Sequence, residues 1–263
     1  MTRPLITLTT DFGQADGYVA AMKGVILDHC PQARLVDISH EIAPQAVQSA
    51  AYVLSTATPY FAPGTVHLVV VDPGVGSARR PVAVQSQRAF YVAPDNGVLT
   101  LALDQDPAQR AVHLTNPQFQ RDQVSATFHG RDIFAPVAAH LARGVALEDL
   151  GAPLDPADLI RLPVSAPQRL ADGSWQGEVL HIDRFGNLIT NIRSLPAAAE
   201  RLSVQAGGTC IQGLRRTFAD VEPGQPVAYI GSSGYLEIAV REGDAAVQLG
   251  LGIGDAVLLS VAP

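Results

Sequence analysis

Five short polar stretches hold the residues of this chain that could do chemistry. In Val71-Asp72-Pro73-Gly74-Val75-Gly76-Ser77-Ala78-Arg79-Arg80 an aspartate follows an apolar run, and two arginines follow a turn made by Pro73, Gly74 and Gly76. A charged residue at the mouth of a buried strand, on a glycine-shaped loop, is where open α/β sheets place their chemistry. An ordinary surface ion pair between Asp72 and Arg79 or Arg80 is the plainer alternative. In Thr9-Thr10-Asp11-Phe12-Gly13, Asp11 can accept hydrogen bonds from a ribose diol, or cap a following helix. In Thr127-Phe128-His129-Gly130-Arg131-Asp132, His129 can act as base, proton shuttle or donor to a nucleophile, and Asp132 can serve a helix dipole. Further on, Asp183, Phe185 and Asn187 fall within five residues of one another. They suit an ammonium, a flat ring and a base edge, or simply a hairpin turn. The hydroxyls and amides of Gly231-Ser232-Ser233-Gly234-Tyr235 can bind a carboxylate, and a plain turn explains the same residues.

These residues need elements to present them. Val66, Leu68, Val69, Val70 and Val71 read as a strand buried on both faces, with Asp72 at its mouth. Leu5–Thr9 is a first strand, and a helix is expected from about Asp16 to His29, ended by Pro31. Leu35–Ile38 is a second strand, and Ala46–Thr58 a helix stopped by Pro59. This β, α, β, α, β alternation predicts an α/β fold, a mostly parallel sheet covered by helices. Val82–Ser86 and Ala89–Ala93 add strands, Asp95-Asn96-Gly97 is a turn or helix start, and a third helix is expected from about Arg131 to Leu141. Residues 1–150 thus form an α/β domain. Residues 151–173 are proline-rich and read as a linker. Residues 174–263 carry short strands between glycine turns, the pattern of a smaller β-barrel or sandwich domain.

Composition narrows the function classes. Of the 263 residues, 47% are hydrophobic and 16% charged, so the chain is globular rather than disordered. A formal net charge of −7 argues against a nucleic-acid partner. The two cysteines, Cys30 and Cys210, have no metal-like spacing and suit a reducing compartment. No apolar run approaches the roughly 18 residues that span a bilayer, so a cytoplasmic location is expected, with no membrane partner. Neither G-x-G-x-x-G nor a P-loop occurs, no G-x-S-x-G is present, and His40-Glu41 lacks H-E-x-x-H spacing, so no metal is expected.

The order of the motifs is more telling than any one of them. T-T-D-F-G, V-D-P-G-V-G-x-x-R-R, P-D-N-G, F-H-G-R-D-x-F-A-P, I-D-x-F-G-N-L-x-T-N-I and G-S-S-G-Y-L together resemble the S-adenosylmethionine (SAM) hydroxide adenosyltransferase family across nearly the whole chain. That family, also described as adenosine-forming SAM hydrolases, is related to fluorinase and chlorinase. The resemblance implies an α/β domain with a C-terminal β barrel. It also implies a homotrimer whose active sites lie between subunits, SAM as substrate, and no cofactor. Asp72, Arg79 and His129 would form the catalytic set. The spacing of seven, not chemistry, favours Arg79 over Arg80. Asp11 would bind the ribose hydroxyls, Asp183 and Ser232 the methionine part, and Phe185 and Asn187 the adenine, with Tyr235 beside Ser232. The related halogenases carry tyrosine where this chain has Asp72, serine where it has Gly130, and an insertion after P-D-N-G that is missing here. Water is therefore the expected nucleophile at the ribose 5′-carbon, giving adenosine and L-methionine. A halogenase and a non-catalytic adenosine-binding protein are the alternatives.

Overall fold

A computed structural model describes residues 3–193 and 199–261. The chain divides into two compact units, one closing at Leu162 and the next opening at Pro163.

The first unit is a sheet between two helical layers. Its strands are β1 (Leu5–Thr10), β2 (Arg34–Ser39), β3 (Val66–Val70), β4 (Pro81–Ser86), β5 (Phe90–Pro94), β6 (Ala108–His113) and β7 (Ala152–Leu154). Across the sheet they run β2-β1-β3-β5-β4-β6-β7, the first four parallel and the rest antiparallel. Its helices are α1 (Tyr18–His29), α2 (Val47–Ala57), α3 (Thr100–Gln105) and α4 (Ala135–Ala142). Helix α1 buries Val19, Met22, Val25 and Ile26 on one stripe and stops at Cys30, since the residue before Pro31 is steered away from the helical region.

The apolar run of β3 is explained by its position. Val66, Leu68 and Val70 belong to a core shared with α1 and α4, and Val69 and Val71 to a second core shared with α2 and α3. A strand covered on both faces has no polar side, and each fully buried Val or Leu contributes roughly 1.5–3 kcal/mol. The chain leaves β1 for β2 on one side and returns to β3 on the other, so the sheet switches direction between β1 and β3. Ligands of open α/β sheets bind beyond the carboxyl ends of strands at such a point. Asp11 follows β1 and Asp72 follows β3.

Several stretches differ from expectation. Residues 151–173, read as a linker, begin with β7, which pairs with β6 as the sheet's edge. Strand β6 lies in a stretch without strong apolar alternation, and α3 occupies Thr100–Gln105 after the P-D-N-G turn. The expected third helix starts as a π-helical turn, Gly130–Phe134, and becomes α-helical from Ala135.

The second unit is a curled antiparallel sheet of β8 (Gln168–Arg169), β9 (Trp175–Ile182), β10 (Leu188–Thr190), β11 (Leu202–Ala206), β12 (Thr209–Gln212), β13 (Pro226–Ile230), β14 (Leu236–Val240) and β15 (Ala256–Val261), with a short helix α5 (Ala245–Leu249). The main path is β12-β11-β15-β9-β10-β14-β13, and β8 pairs with β9. Just after β12, Arg215 bridges to Tyr229 of β13, so the sheet nearly closes into a barrel. Leu188, Val204, Leu236, Ile238, Val257 and Leu259 fill its interior.

Candidate active site

At the switch point of the first unit lies a cavity of about 400 Å³, whose lining includes Asp11, Phe12, Tyr18, Gln45, Asp72, Phe128, His129 and Gly130. Asp72 and Arg79 form an ion pair with side chains only 5% and 8% exposed, so the surface-pair alternative fails. Arg79 Nε donates to Asp72 Oδ1 at 3.0 Å and Oδ2 at 2.9 Å, and Nη2 donates to Oδ2 as well. Nη2 also donates to His129 Nδ1 at 2.8 Å. A guanidinium has no acceptor, so Nδ1 must accept, and the neutral ring carries its proton on Nε2. Burial and then the Arg79 charge push the His129 pKa below the usual histidine value, outweighing the lift from Asp72 and Asp132. The guanidinium also lies 5.2 Å from the centre of the Phe134 ring.

Arg80 is engaged elsewhere. Its Nε and Nη2 donate to Asp95 Oδ2 at 2.8 and 2.6 Å, and Nη2 also reaches the carbonyl of Asp158 at 2.6 Å. The choice of Arg79 over Arg80 thus has a geometric reason that the spacing lacked.

Asp11 Oδ2 accepts from the Gln45 amide at 2.8 Å, and Gln45 holds φ at +66°, an uncommon value for a non-glycine residue. The N-cap of α1 is Gly17, so Asp11 does not cap that helix. The loop is braced by His40, whose Nδ1 is 2.8 Å from Thr10 Oγ1 and whose carbonyl accepts from the Gly13 amide at 2.8 Å. Phe12, Tyr18 and Phe128 pack edge to face or tilted, with centroids 5.3 to 5.9 Å apart, as one aromatic wall.

His129 owes its position to the π-helical turn behind it, a distortion frequent at functional sites. Asp132 inside that turn is fully buried. It accepts from Arg131 Nε at 2.6 Å and from the Ser125 amide at 2.9 Å, and pairs with Arg121 at 3.3 Å. Burial alone would raise its pKa, and Arg131, the Ser125 amide and Arg121 more than offset that. Asp132 is thus the anchor of the loop ahead of His129 and not merely a dipole partner.

The second unit places its predicted residues in two groups. Asp183 Oδ1 accepts from the amides of Phe185 and Asn187, both at 2.9 Å, and Oδ2 from Asn187 Nδ2 at 2.8 Å. Those bonds hold Phe185 76% exposed. Phe185 and Asn187 line a groove of about 500 Å³ together with Phe218, Val240, Arg241 and Asp244. Phe218, 55% exposed, was not legible as a site residue because an aromatic in a weakly patterned turn carries no motif. Ser232 is exposed on the Gly231–Gly234 turn, outside that groove. Tyr235 is buried, with Arg193 stacked 3.9 Å from its ring centre. Among the described residues no group of His, Cys, Asp and Glu could hold a metal ion, and no helix is long and apolar enough to cross a membrane.

Comparison with known proteins identifies the family. The model of the SAM hydroxide adenosyltransferase N-terminal domain matches residues 6–151, and that of the C-terminal domain residues 177–258. An (R)-S-adenosyl-L-methionine hydrolase of Thermus thermophilus is 46% identical, covering 98% of this chain and 99% of the relative. One of Salinispora tropica is 42% identical over 96% of each chain. A fluorinase of Nocardia brasiliensis is 31% identical over 98% of this chain and 97% of its own. Among solved structures, an uncharacterized conserved protein of Thermotoga maritima superposes with a TM-score of 0.88 at 37% identity, covering 97% of this chain and 99% of its own.

Proposed function

The chain belongs to the SAM hydroxide adenosyltransferase family, and from that premise we infer how its site performs the family's reaction. The protein is a SAM hydrolase that forms adenosine and L-methionine. Its close relatives act on the substrate named (R)-S-adenosyl-L-methionine. The L descriptor fixes the α-carbon and adenosyl fixes the ribose, so R describes the sulfonium sulfur, and the R epimer is the proposed substrate here.

Water attacks the 5′-carbon in line with the carbon–sulfur bond. The sulfonium leaves as a neutral thioether, so no acid is needed at the leaving group. The demand falls on the nucleophile, for which a positioned base contributes roughly 10²–10⁴-fold and correct placement several kcal/mol more. The observation that carries the assignment is the direction of the Arg79–His129 hydrogen bond. With Nδ1 accepting and the proton on Nε2, neutral His129 donates to the water and does not take its proton. Asp72 is left as the anionic acceptor. Its Oδ1 receives one Arg79 contact where Oδ2 receives two, so Oδ1 is the oxygen that receives the proton. Asp11 holds the ribose hydroxyls beside the aromatic wall. Phe185 and Asn187 take the adenine, and Asp183, Ser232 and Tyr235 serve the methionine part. No cofactor is required by these steps. A homotrimer is what the family resemblance implies, to be checked by light scattering, and the sparse, unpaired cysteines support a cytoplasmic location.

The test is chromatography of each sulfonium epimer after incubation with the enzyme. Adenosine and methionine appear from the R epimer, and Asp72→Ala loses at least about 100-fold in turnover while still binding adenosine. Undiminished turnover by that variant removes Asp72 from the mechanism. Formation of 5′-halo-adenosine when chloride or fluoride is added would make the protein a halogenase instead.

A further inference from the structure

We propose that Asn96 and Asp95 of the P-D-N-G turn are positioning residues for the reaction, clasping both ends of the loop that carries Asp72 and Arg79. The proposal rests on the assignment of that pair to the nucleophile.

The loop from Val71 to Arg80 begins one residue beyond the last paired position of β3. There the carbonyl of Val71, the residue before Asp72, has run out of strand partners. Asn96 Nδ2 donates to it at 2.9 Å. The other half of the same amide is used within its own turn, since Asn96 Oδ1 accepts from the Val98 amide at 3.2 Å. That second bond fixes which way the amide faces, so Asn96 presents a donor to Val71 and not an acceptor. At the far end of the loop the Asp95 amide donates to the Arg80 carbonyl at 2.9 Å, adding one rung to the β4–β5 ladder. The Asp95 carboxylate, 3% exposed, then binds the Arg80 guanidinium through Oδ2 and accepts from the Ile160 amide at 2.8 Å through Oδ1.

Two consecutive residues on β5's exit thus hold the first and last residues of a ten-residue loop. Between those points the chain turns through Gly74 and Gly76, which give it little stiffness of its own. The separation between the Asp72 carboxylate and the Arg79 guanidinium is set by where the loop's ends are tied. Arg80 contributes from behind, through Asp95, and never faces the water.

A displacement of about 1 Å at a reacting group can cost on the order of 100-fold in rate. Asn96→Ala, and the isosteric Asn96→Asp that keeps the acceptor for Val98 but loses the donor, are expected to lower kcat at least about tenfold. KM for SAM stays within about twofold, because Asp11 and the aromatic wall are untouched. Arg80→Gln loosens the far end and gives the same split. A purely structural role would also lower thermal stability, so the discriminating measurement is a double-mutant cycle with Arg79→Lys, its residual turnover followed at high enzyme concentration. Once the Arg79 fork is gone the Asp72–Arg79 separation that the clasp sets no longer governs the rate, and adding Asn96→Ala then costs less than about twofold. Turnover within about twofold of the parent in both Asn96 variants overturns the proposal, as does a multiplicative loss in the double variant. Should Asn96→Ala fail to fold, Asn96→Asp decides alone. An inactive Asp72→Ala with normal Asn96 variants removes only the clasp, whereas an active Asp72→Ala removes the site assignment beneath it.

Discussion

In the proposed mechanism His129 enters the reaction neutral, and its protonation would set the acid limit of turnover. Burial and the Arg79 guanidinium depress its pKa, so the ring stays uncharged as pH falls through the usual histidine value of about 6.5. Protonating Nδ1 would place a cation against Arg79 and break their hydrogen bond. Turnover is therefore expected to hold level from pH 8 through 6.5 and to fall only below that. The kcat profile between pH 8 and 4.5 checks this, and an acid limb centred at or above 6.5 contradicts the assigned tautomer. In the sequence, His129 and Asp72 were recognisable from the motifs around them. The choice of Arg79 over Arg80 rested on the family spacing alone, because adjacent arginines look alike until the fold gives one Asp72 and the other Asp95.

The elements that hold these residues also meet at a close approach of their backbones. Gly76 adopts φ +77°, and a Cβ there would lie 2.6 Å from the carbonyl of Ala126, in the segment leading to His129. The Asp72–Arg79 loop and the His129 loop are thus packed backbone to backbone. Gly76→Ala should cost roughly 1–3 kcal/mol from backbone strain, and more from the clash. Gly64→Ala is the control, with φ +83° but open space around the added carbon. Urea unfolding of the two variants should show the larger loss at Gly76, accompanied by a fall in kcat. Equal losses and normal kcat would mean that the contact between the loops is incidental. Periodicity and proline stops disclosed α1, α2 and β3, because their apolar stripes are complete. They did not disclose the π-helical turn at Gly130–Phe134, β6, or the edge strand β7. The π-helical turn depends on the bonds of Asp132 to Arg121 and Ser125, which no apolar period records, and the two strands depend on partners far along the chain, β6 on β4 and β7 on β6.

At the scale of the whole first unit, stability and chemistry occupy opposite ends of the sheet. His67, near the start of β3, is 1% exposed, stacks on Tyr91 at 5.2 Å and has Nδ1 2.8 Å from Thr7 Oγ1. Burial, opposed by Asp106, lowers its pKa to about 4. The same burial pushes Tyr91 up to about 12. Unfolded chains bind a proton at His67 from about pH 6.5 downward, whereas the folded unit refuses it until about 4. The unfolded state therefore holds more protons across that window. Stability is complete above pH 6.5 and declines as pH falls toward 4, by about 3 kcal/mol from this residue alone. His67→Gln should flatten the fall of the urea midpoint between pH 6.5 and 4, and an unchanged slope would exclude His67 as its source. The two-part layout and the type of each fold were legible because the helix-strand alternation gives way to short strands and glycine turns. The strand pattern alone left a barrel and a sandwich open, and the bridge between Arg215 and Tyr229 nearly closes the sheet into the barrel that the family resemblance implied.

The burial of β3 on both faces, with its chemistry confined to the loop at its end, makes scaffold and reactivity separately heritable. Mutations that repack either core leave the loop's anchors at Asp95 and Asn96 in place. A change at Asp72 alters the group that faces the proposed nucleophile without touching either core, whereas a Cβ at Gly130 would lie 3.2 Å from Met22 Sδ and 3.4 Å from Val70 Cγ1, so the core must give slightly there. One lineage can thus exchange its nucleophile while keeping its architecture, in keeping with a fluorinase 31% identical along almost the full chain.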